Sequence, residues 1–265
     1  DMSLRDIIDV RIYSAEPFLE LHFERAGQRR SVEVDRRYGE PLGLEFAQDL
    51  FDGEPRVCHN RCEFCFVAQM ASGMRAPRYV KDDDYRLSFL HGNYITLTNL
   101  DPSDWERIEE QYLSPLYVSV HATEPDVRFD LMRNPRSAKI LDELHRLVDI
   151  GIELHTQAVL VPGRNDGAHL DQTIADLVAL QSALIDRALG FLRPGGRLVF
   201  CTCSLLPDEG EVQVDEALER HPGLRVDRDA LDLPGIDKSW ITAEGGLRLR
   251  PDVWAAQGGM DGFYI

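Results

Sequence analysis

Three cysteines crowd into the eight residues Cys58-His59-Asn60-Arg61-Cys62-Glu63-Phe64-Cys65. Thiolates spaced C-x3-C-x2-C on one loop can wrap a single soft metal centre. A tetrahedral zinc site wants a fourth ligand, for which His59 and His91 are the candidates. Without a fourth ligand, the set fits a [4Fe–4S] cluster that keeps one iron open for a substrate or cofactor. Cys201 and Cys203 form a second pair, in Arg197-Leu198-Val199-Phe200-Cys201-Thr202-Cys203. A buried strand there would deliver both thiols to one side of its carboxyl end, the edge where open α/β sheets bind ligands. Each is either a nucleophile or a buried structural cysteine, and the residues alone favour the second. The run Asp82-Asp83-Asp84 reads as a solvated loop or a helix cap before it reads as a divalent-ion site.

These groups need elements to position them. Residues 7 to 36 read as β, with Leu19, Leu21 and Phe23 alternating with charged neighbours, a turn at Ala26-Gly27-Gln28, and a return through Val32 and Val34. The expectation is a hairpin with one buried face. Strands are expected at Tyr94–Thr98, Leu116–Val120 and Ile152–Val161. Helices are expected after Pro102, with Ser103 as N-cap, and from Ala138 to Ile150, stopped by Gly151. Strands alternating with helices imply parallel βαβ units. A long apolar helical stripe runs from Ile174 to Leu192 and breaks at Pro194-Gly195-Gly196. A strand at Arg197–Cys201, a helix from Glu209 to Arg220 and a closing strand at Gly262–Ile265 complete the reading.

Composition narrows the class. The 265 residues are 43% hydrophobic and 28% charged, as in globular α/β proteins. Twenty-nine basic against 46 acidic side chains give −17, which argues against a general nucleic-acid binder. The imbalance is shared, −5 over residues 178–265 and −12 over the rest. An odd number of cysteines in two tight clusters is no disulfide framework and points to a reducing, cytoplasmic setting. No apolar run is long enough for a membrane helix, and Asp1–Asp6 lacks the apolar core of a secretory signal. The chain opens in mid-pattern at Asp1-Met2, so it is expected to be a fragment.

The loop resembles the signature of the radical S-adenosylmethionine enzymes, C-x3-C-x-aromatic-C, with Phe64 as the aromatic. The stretches Arg61–Met70, Lys81–Phe89, Gly92–Leu100, Ser119–Thr123 and Val161–Gly167 are similar to one subgroup. It is the bacterial proteins with a PDZ-like N-terminal domain, a radical barrel and a C-terminal domain of unknown function (DUF512-type). The resemblance covers residues 1 to about 177. It implies that Cys58, Cys62 and Cys65 hold three irons of a [4Fe–4S] cluster and that the fourth chelates S-adenosyl-L-methionine. One electron, from a donor such as flavodoxin or ferredoxin, would cleave the sulfonium to a 5′-deoxyadenosyl radical. Gly92 and Asn93 sit where the family contacts the methionine moiety, although Gly92 reads equally as a simple turn before Tyr94.

Residues from about 178 to 265 resemble a second family. Pro194-Gly195-Gly196-Arg197-Leu198-Val199-Phe200-Cys201-Thr202-Cys203-Ser204-Leu205-Leu206-Pro207 and Gly258-Gly259-Met260-Asp261-Gly262-Phe263-Tyr264 are similar to the C-terminal third of the RNA cytosine-C5 methyltransferases of the Sun/NOL1/NOP2 type. The resemblance makes Cys203 the catalytic nucleophile toward cytosine C6, with RNA as a partner of this half alone, and gives Cys201 no role. The family's Gly-rich S-adenosylmethionine loop and its Pro-Cys motif are absent from this sequence.

The expected fold class is therefore α/β, as a chimera of two fragments joined in the helix near Ala175–Leu180. Residues 1–48 would be a β-hairpin remnant of a PDZ-like domain. Residues 49–177 would be a partial radical (β/α) barrel carrying the cluster loop, and residues 178–265 a partial Rossmann-like methyltransferase sheet. The leading function is an iron–sulfur protein that cleaves S-adenosylmethionine reductively, impaired by truncation, on an unknown substrate. The alternatives are an RNA methyltransferase fragment acting through Cys203 and a non-catalytic iron–sulfur or interaction protein. Each half is expected to leave a strand edge or an apolar face uncovered, with the joined helix packing on one half or bridging both.

Overall fold

The computed structural model describes residues 3–259 and 261–265. Asp1, Met2 and Met260 lie outside the described residues, and with them part of the opening and of the Gly258–Tyr264 stretch. The protein is mixed α/β with small sheets.

The opening segment is helical. Helix α1 (Ile7–Tyr13) replaces the strand expected there, because Asp6 caps it by accepting from the backbone N–H groups of Ile8 and Asp9. Buried Arg107 then holds both Asp6 and Asp9 at 2.7 and 2.9 Å, which overrides the β-branched run. The expected hairpin forms between β1 (Phe18–Arg25) and β2 (Gln28–Asp35). Ala26 and Gly27 both take positive φ, 53° and 75°, as a two-residue hairpin turn requires. Its apolar face is not buried: Leu19, Leu21 and Val34 are half-covered, and Phe23 and Val32 are 43% and 47% exposed.

The cysteine loop follows in irregular chain. Next come α2 (Tyr85–His91), α3 (Pro102–Gln111), β3 (Leu116–Ser119), α4 (Pro125–Met132), α5 (Ile140–Asp149) and β4 (Leu154–Gln157). Asp101, not Ser103, caps α3, in a capping box with Asp104. Strands β3 and β4 pair in parallel, Leu116 opposite Leu154. The expected strand at Tyr94–Thr98 is reduced to one parallel bridge, Ile95 to Val118. Three adjacent parallel segments thus stand where a partial barrel was expected. Ile95, Leu97, Leu116, Val118, Val120, Ile140, Leu144 and Leu147, all 0–1% exposed, form the core between these segments and the helices.

Helix α6 (Ala168–Leu189) packs on α5 through Leu177, Leu180 and Leu184 and on α7 (Glu211–Arg220) through Ser182–Gln213, so it bridges both halves. Beyond it regular structure thins. Arg197–Cys201 forms no strand, and Val199 is 69% exposed. Among the described residues there, β5 (Arg248–Leu249) and β6 (Phe263–Tyr264) pair, with single bridges from Thr202 to Tyr264 and from Ile241 to Leu247. Among the described residues the three strand pairs stay separate, so no sheet spans the two halves. The Rossmann-like sheet is not assembled because isolated short strands need neighbours to hold them.

Candidate functional site

The cysteine loop is pinned at both ends by backbone bonds. The Cys58 N–H donates to the Lys81 carbonyl at 2.7 Å, and the Arg61 N–H donates to the Met132 carbonyl at the end of α4 at 2.8 Å. A turn closed from Cys65 N–H to Cys62 C=O brings the third cysteine round. The loop lies over the carboxyl ends of the parallel segments. Asn60 bonds Thr96 and Thr98 beyond Ile95, His59 bonds Asn99, and Cys62 and Phe64 pack on Ala122, Leu131 and Met132 beyond β3. That edge is where parallel α/β units collect their ligands, since loops converge there and helix N-termini face it.

All three thiols are half-buried. Burial raises Cys58, helped by the nearby Asp83 carboxylate. Burial also pushes Cys62 up to about 11, and proximity to Cys58 and Cys65 pushes in the same direction, opposed by Lys81. Such thiols are no resting thiolate nucleophiles; a bound metal cation would be needed to displace their protons to solvent. Among the described residues no three His, Cys, Asp or Glu side chains close around a single ion. His59 is bonded to Asn99 and His91 to Asp49 at 2.8 Å, so neither turns to the thiols as a fourth zinc ligand.

Around the loop lies a polar frame that sequence reasoning left out. Arg128 on α4 is fully buried and donates to four backbone carbonyls, those of Thr96, Ser119, Val120 and Ser137, at 2.7–3.0 Å. It ties the carboxyl ends of two parallel segments together. Glu143 on α5 faces its charge with Oε2 buried and unpaired, and burial pushes this carboxyl up to about 7. His121 follows β3 with φ 65°, accepts the Val159 N–H on Nδ1 and meets Phe64 edge-on at 4.7 Å. Burial, with Arg128 nearby, lowers its pKa to about 4, so the ring is neutral with its proton on Nε2. One signal was readable: Thr96 and Thr98 alternate with Ile95 and Leu97, which places both hydroxyls on the side away from the core.

Other expected residues have structural duties. Gly92 ends α2 in the left-handed region at φ 76°, and a Cβ there would meet the Tyr117 ring at 3.3 Å, so the turn reading accounts for this glycine. Asn93 donates to Asp82 at 2.9 Å, and Asp82 pairs with Val57 beside the loop. Asp84 caps α2, as a cap was expected. Asp83 is not solvated: it is 2% exposed, and Thr96 donates to it through both N–H and hydroxyl.

The second cysteine pair lies elsewhere. Cys201 and Cys203 are exposed on the unpaired segment, contrary to a buried strand end, because the bridge at Thr202 is the segment's one strand contact. Cys203 comes near the Tyr94 phenol, whose pKa it helps raise behind burial.

Comparison with known proteins finds two families along the chain, with matches that overlap over residues 161–186. Residues 36–186 match the family model of the radical SAM-like domain, more than half of the chain. Residues 161–265 match the model of the 16S rRNA methyltransferase RsmB/F family. Similar curated proteins are the ribosomal RNA small subunit methyltransferases B of Erwinia tasmaniensis, 40% identical over 77 residues, and Pectobacterium carotovorum, 43% over 67. A third, from Salmonella arizonae, is 39% identical over 66 residues. These stretches are 29%, 25% and 24% of this chain and 18%, 16% and 15% of the relatives, so the chain spans under a fifth of the curated proteins it matches.

Proposed function

Because this chain belongs to the radical SAM-like domain family and runs on into an RsmB/F-type segment, we propose that it is an iron–sulfur protein of the S-adenosylmethionine-cleaving class, acting on an unidentified substrate. The reading is carried by one observation: three half-buried thiols on one loop, each near enough to press on the next, over the carboxyl edge of parallel segments. Among the described residues no three His, Cys, Asp or Glu side chains are placed to hold one ion, so the proposal rests on the chemistry of an all-sulfur donor set on one loop. That set fits a [4Fe–4S] cluster held by Cys58, Cys62 and Cys65. Bound there, such a cluster supplies one-electron reductive cleavage of the S-adenosylmethionine sulfonium, fed by a flavodoxin or ferredoxin.

The chain's own residues do the rest. Lys81, anchored on the Asn60 carbonyl, places one positive charge beside Cys58 and Cys62 and offsets part of their negative charge once they ionise. Phe64, Ala122, Leu131 and Met132 shield the inner side of the loop from water. Neutral His121, with its proton on Nε2, stands edge-on to the Phe64 ring. The Gly92-Asn93 turn, tied to the loop through Asp82, is the segment that would meet the methionine part of the cofactor. The assignments of residues 1–48 to a PDZ-like remnant, 49–177 to a partial radical barrel and 178–265 to a methyltransferase remnant belong to this proposal, as does a cytoplasmic setting. Among the described residues no helix is long and apolar enough to cross a membrane.

The test is anaerobic incubation of iron- and sulfide-reconstituted protein with S-adenosylmethionine and dithionite. 5′-Deoxyadenosine should form, and should not form with Cys62→Ala. Equal formation in both would remove the loop from the reaction. RNA methylation through Cys203 is not part of the proposal, because its thiol stands exposed on a segment without a formed sheet. Cys203-dependent 5-methylcytosine would reverse that exclusion.

A further inference from the structure

Asn60, between the first two cysteines, is 2% exposed, and its side-chain amide is hydrogen-bonded at both ends. Its Nδ2 donates to Thr96 Oγ1 at 2.9 Å and to Cys58 Sγ at 3.3 Å. Its Oδ1 accepts from Asn134 Nδ2 at 2.7 Å, and Thr98 Oγ1, whose single proton is shared between Asn60 Oδ1 at 3.1 Å and Thr96 Oγ1 at 2.9 Å, stands beside it. The direction of the amide is forced from both ends. Thr96 gives its one hydroxyl proton to Asp83 at 2.7 Å and can only accept from Asn60. The Arg136 N–H donates to Asn134 Oδ1 at 3.0 Å, which leaves Asn134 its NH2 group to offer. Only one orientation of Asn60 satisfies both neighbours, and it aims an N–H at Cys58.

We propose that Asn60 is the positioning residue of the cysteine loop. Its Nδ2–H fixes the direction of Cys58 Sγ and lends that sulfur a hydrogen bond. Asn60 thereby sets how firmly the loop retains a sulfur-held group and at what potential that group is reduced. The inference rests on the iron–sulfur reading above. Hydrogen bonds to ligating sulfurs spread their negative charge and favour the reduced state, and partners behind a ligand govern retention.

The experiment compares wild type, Asn60→Asp and Thr96→Val, each reconstituted anaerobically with iron and sulfide. Asn60→Asp keeps the shape and the acceptor for Thr98 and Asn134 but puts an oxygen where the N–H pointed. Thr96→Val keeps the shape and removes the amide's other anchor, and it carries the comparison if Asn60→Asp does not fold. Iron should leave to a chelator about tenfold faster from Asn60→Asp and about threefold faster from Thr96→Val, with both midpoint potentials moved to more negative values. Unchanged potentials and release rates overturn the proposal. A wild type that takes up no iron defeats the iron–sulfur reading instead. The role of Asn60 is then read on the unloaded protein, where Cys58 should react with iodoacetamide about tenfold more slowly, relative to Cys65, in Asn60→Asp. An unchanged ratio there overturns it.

Discussion

Residues 85–160 and residues 190–265 are similar in length and unlike in outcome. The first stretch buries Leu116, Val118, Ile140, Leu144 and Leu147 completely, around parallel segments braced by α3 and α5. The second leaves Phe191, Val199, Leu205 and Leu233 exposed at 54–69% and builds two strands of two residues each. Their sequences are equally apolar in places; Leu198-Val199-Phe200 reads as a strand as readily as Leu116-Tyr117-Val118. The difference is in partners. Leu116–Ser119 has Ile95 on one side and β4 on the other, with α5 above. Among the described residues, the segment around Val199 has one strand contact, the bridge at Thr202, beside a Phe200–Tyr264 ring contact and an exposed Arg197–Asp227 ion pair. Strand propensity describes a fit to a half-buried surface, and it is spent only where that surface exists.

Limited proteolysis gives the widest contrast. Cuts should come first between Leu224 and Gly246, where Leu233 is 58% exposed, and mass mapping of early fragments checks this. First cuts between Leu113 and Ile152 would break the comparison. In denaturant unfolding, Leu144→Ala should lose about 3–4 kcal/mol and Val199→Ala under about 0.5 kcal/mol. Equal losses would mean that residues 190–265 share the core. Arg128→Met should cost about 3 kcal/mol, because it leaves the buried Ser119 and Ser137 carbonyls without the donor they have here and loosens those of Thr96 and Val120.

The smallest effect carries a pH signature. Glu143 titrates near 7 in the folded protein against an ordinary 4.5 when unfolded. It therefore costs nothing below about pH 4.5, and its penalty grows as pH rises to about 7 and persists above. Glu143→Gln should stabilise by about 1–2 kcal/mol at pH 8 and by nothing at pH 4. Stabilisation that does not vary with pH would place the cause in packing instead.

The parts of the site that were legible in the sequence are those with rare chemistry at short spacing. Cys58, Cys62, Cys65 and Phe64 could be read because one loop carries all four. Of the polar frame only the alternation of Thr96 and Thr98 was readable; its bonds were not, because they span long sequence distances. Asn60 meets Thr96 and Asn134, and Arg128 meets Thr96. The helix at Ile7–Tyr13 was illegible for the same reason, since Arg107 decides it from about a hundred residues away. Of the helices with apolar stripes of their own, α5 was found within two residues, and α6 was found but starts at Ala168, six residues before the expected stretch. Strands that depend on absent or distant neighbours, at Tyr94–Thr98 and Arg197–Cys201, were overestimated.

Under the proposed function the cysteine loop, seated on the well-packed stretch, holds the cluster, and the second cysteine pair takes no part in it. Iron and acid-labile sulfide counted per chain after anaerobic reconstitution test it most directly. The account predicts about four of each in the wild type and in the Cys201→Ala, Cys203→Ala double variant, and none when Cys58, Cys62 and Cys65 are replaced by Ala. Stoichiometric zinc without labile sulfide, or iron lost with Cys201 and Cys203, would contradict it.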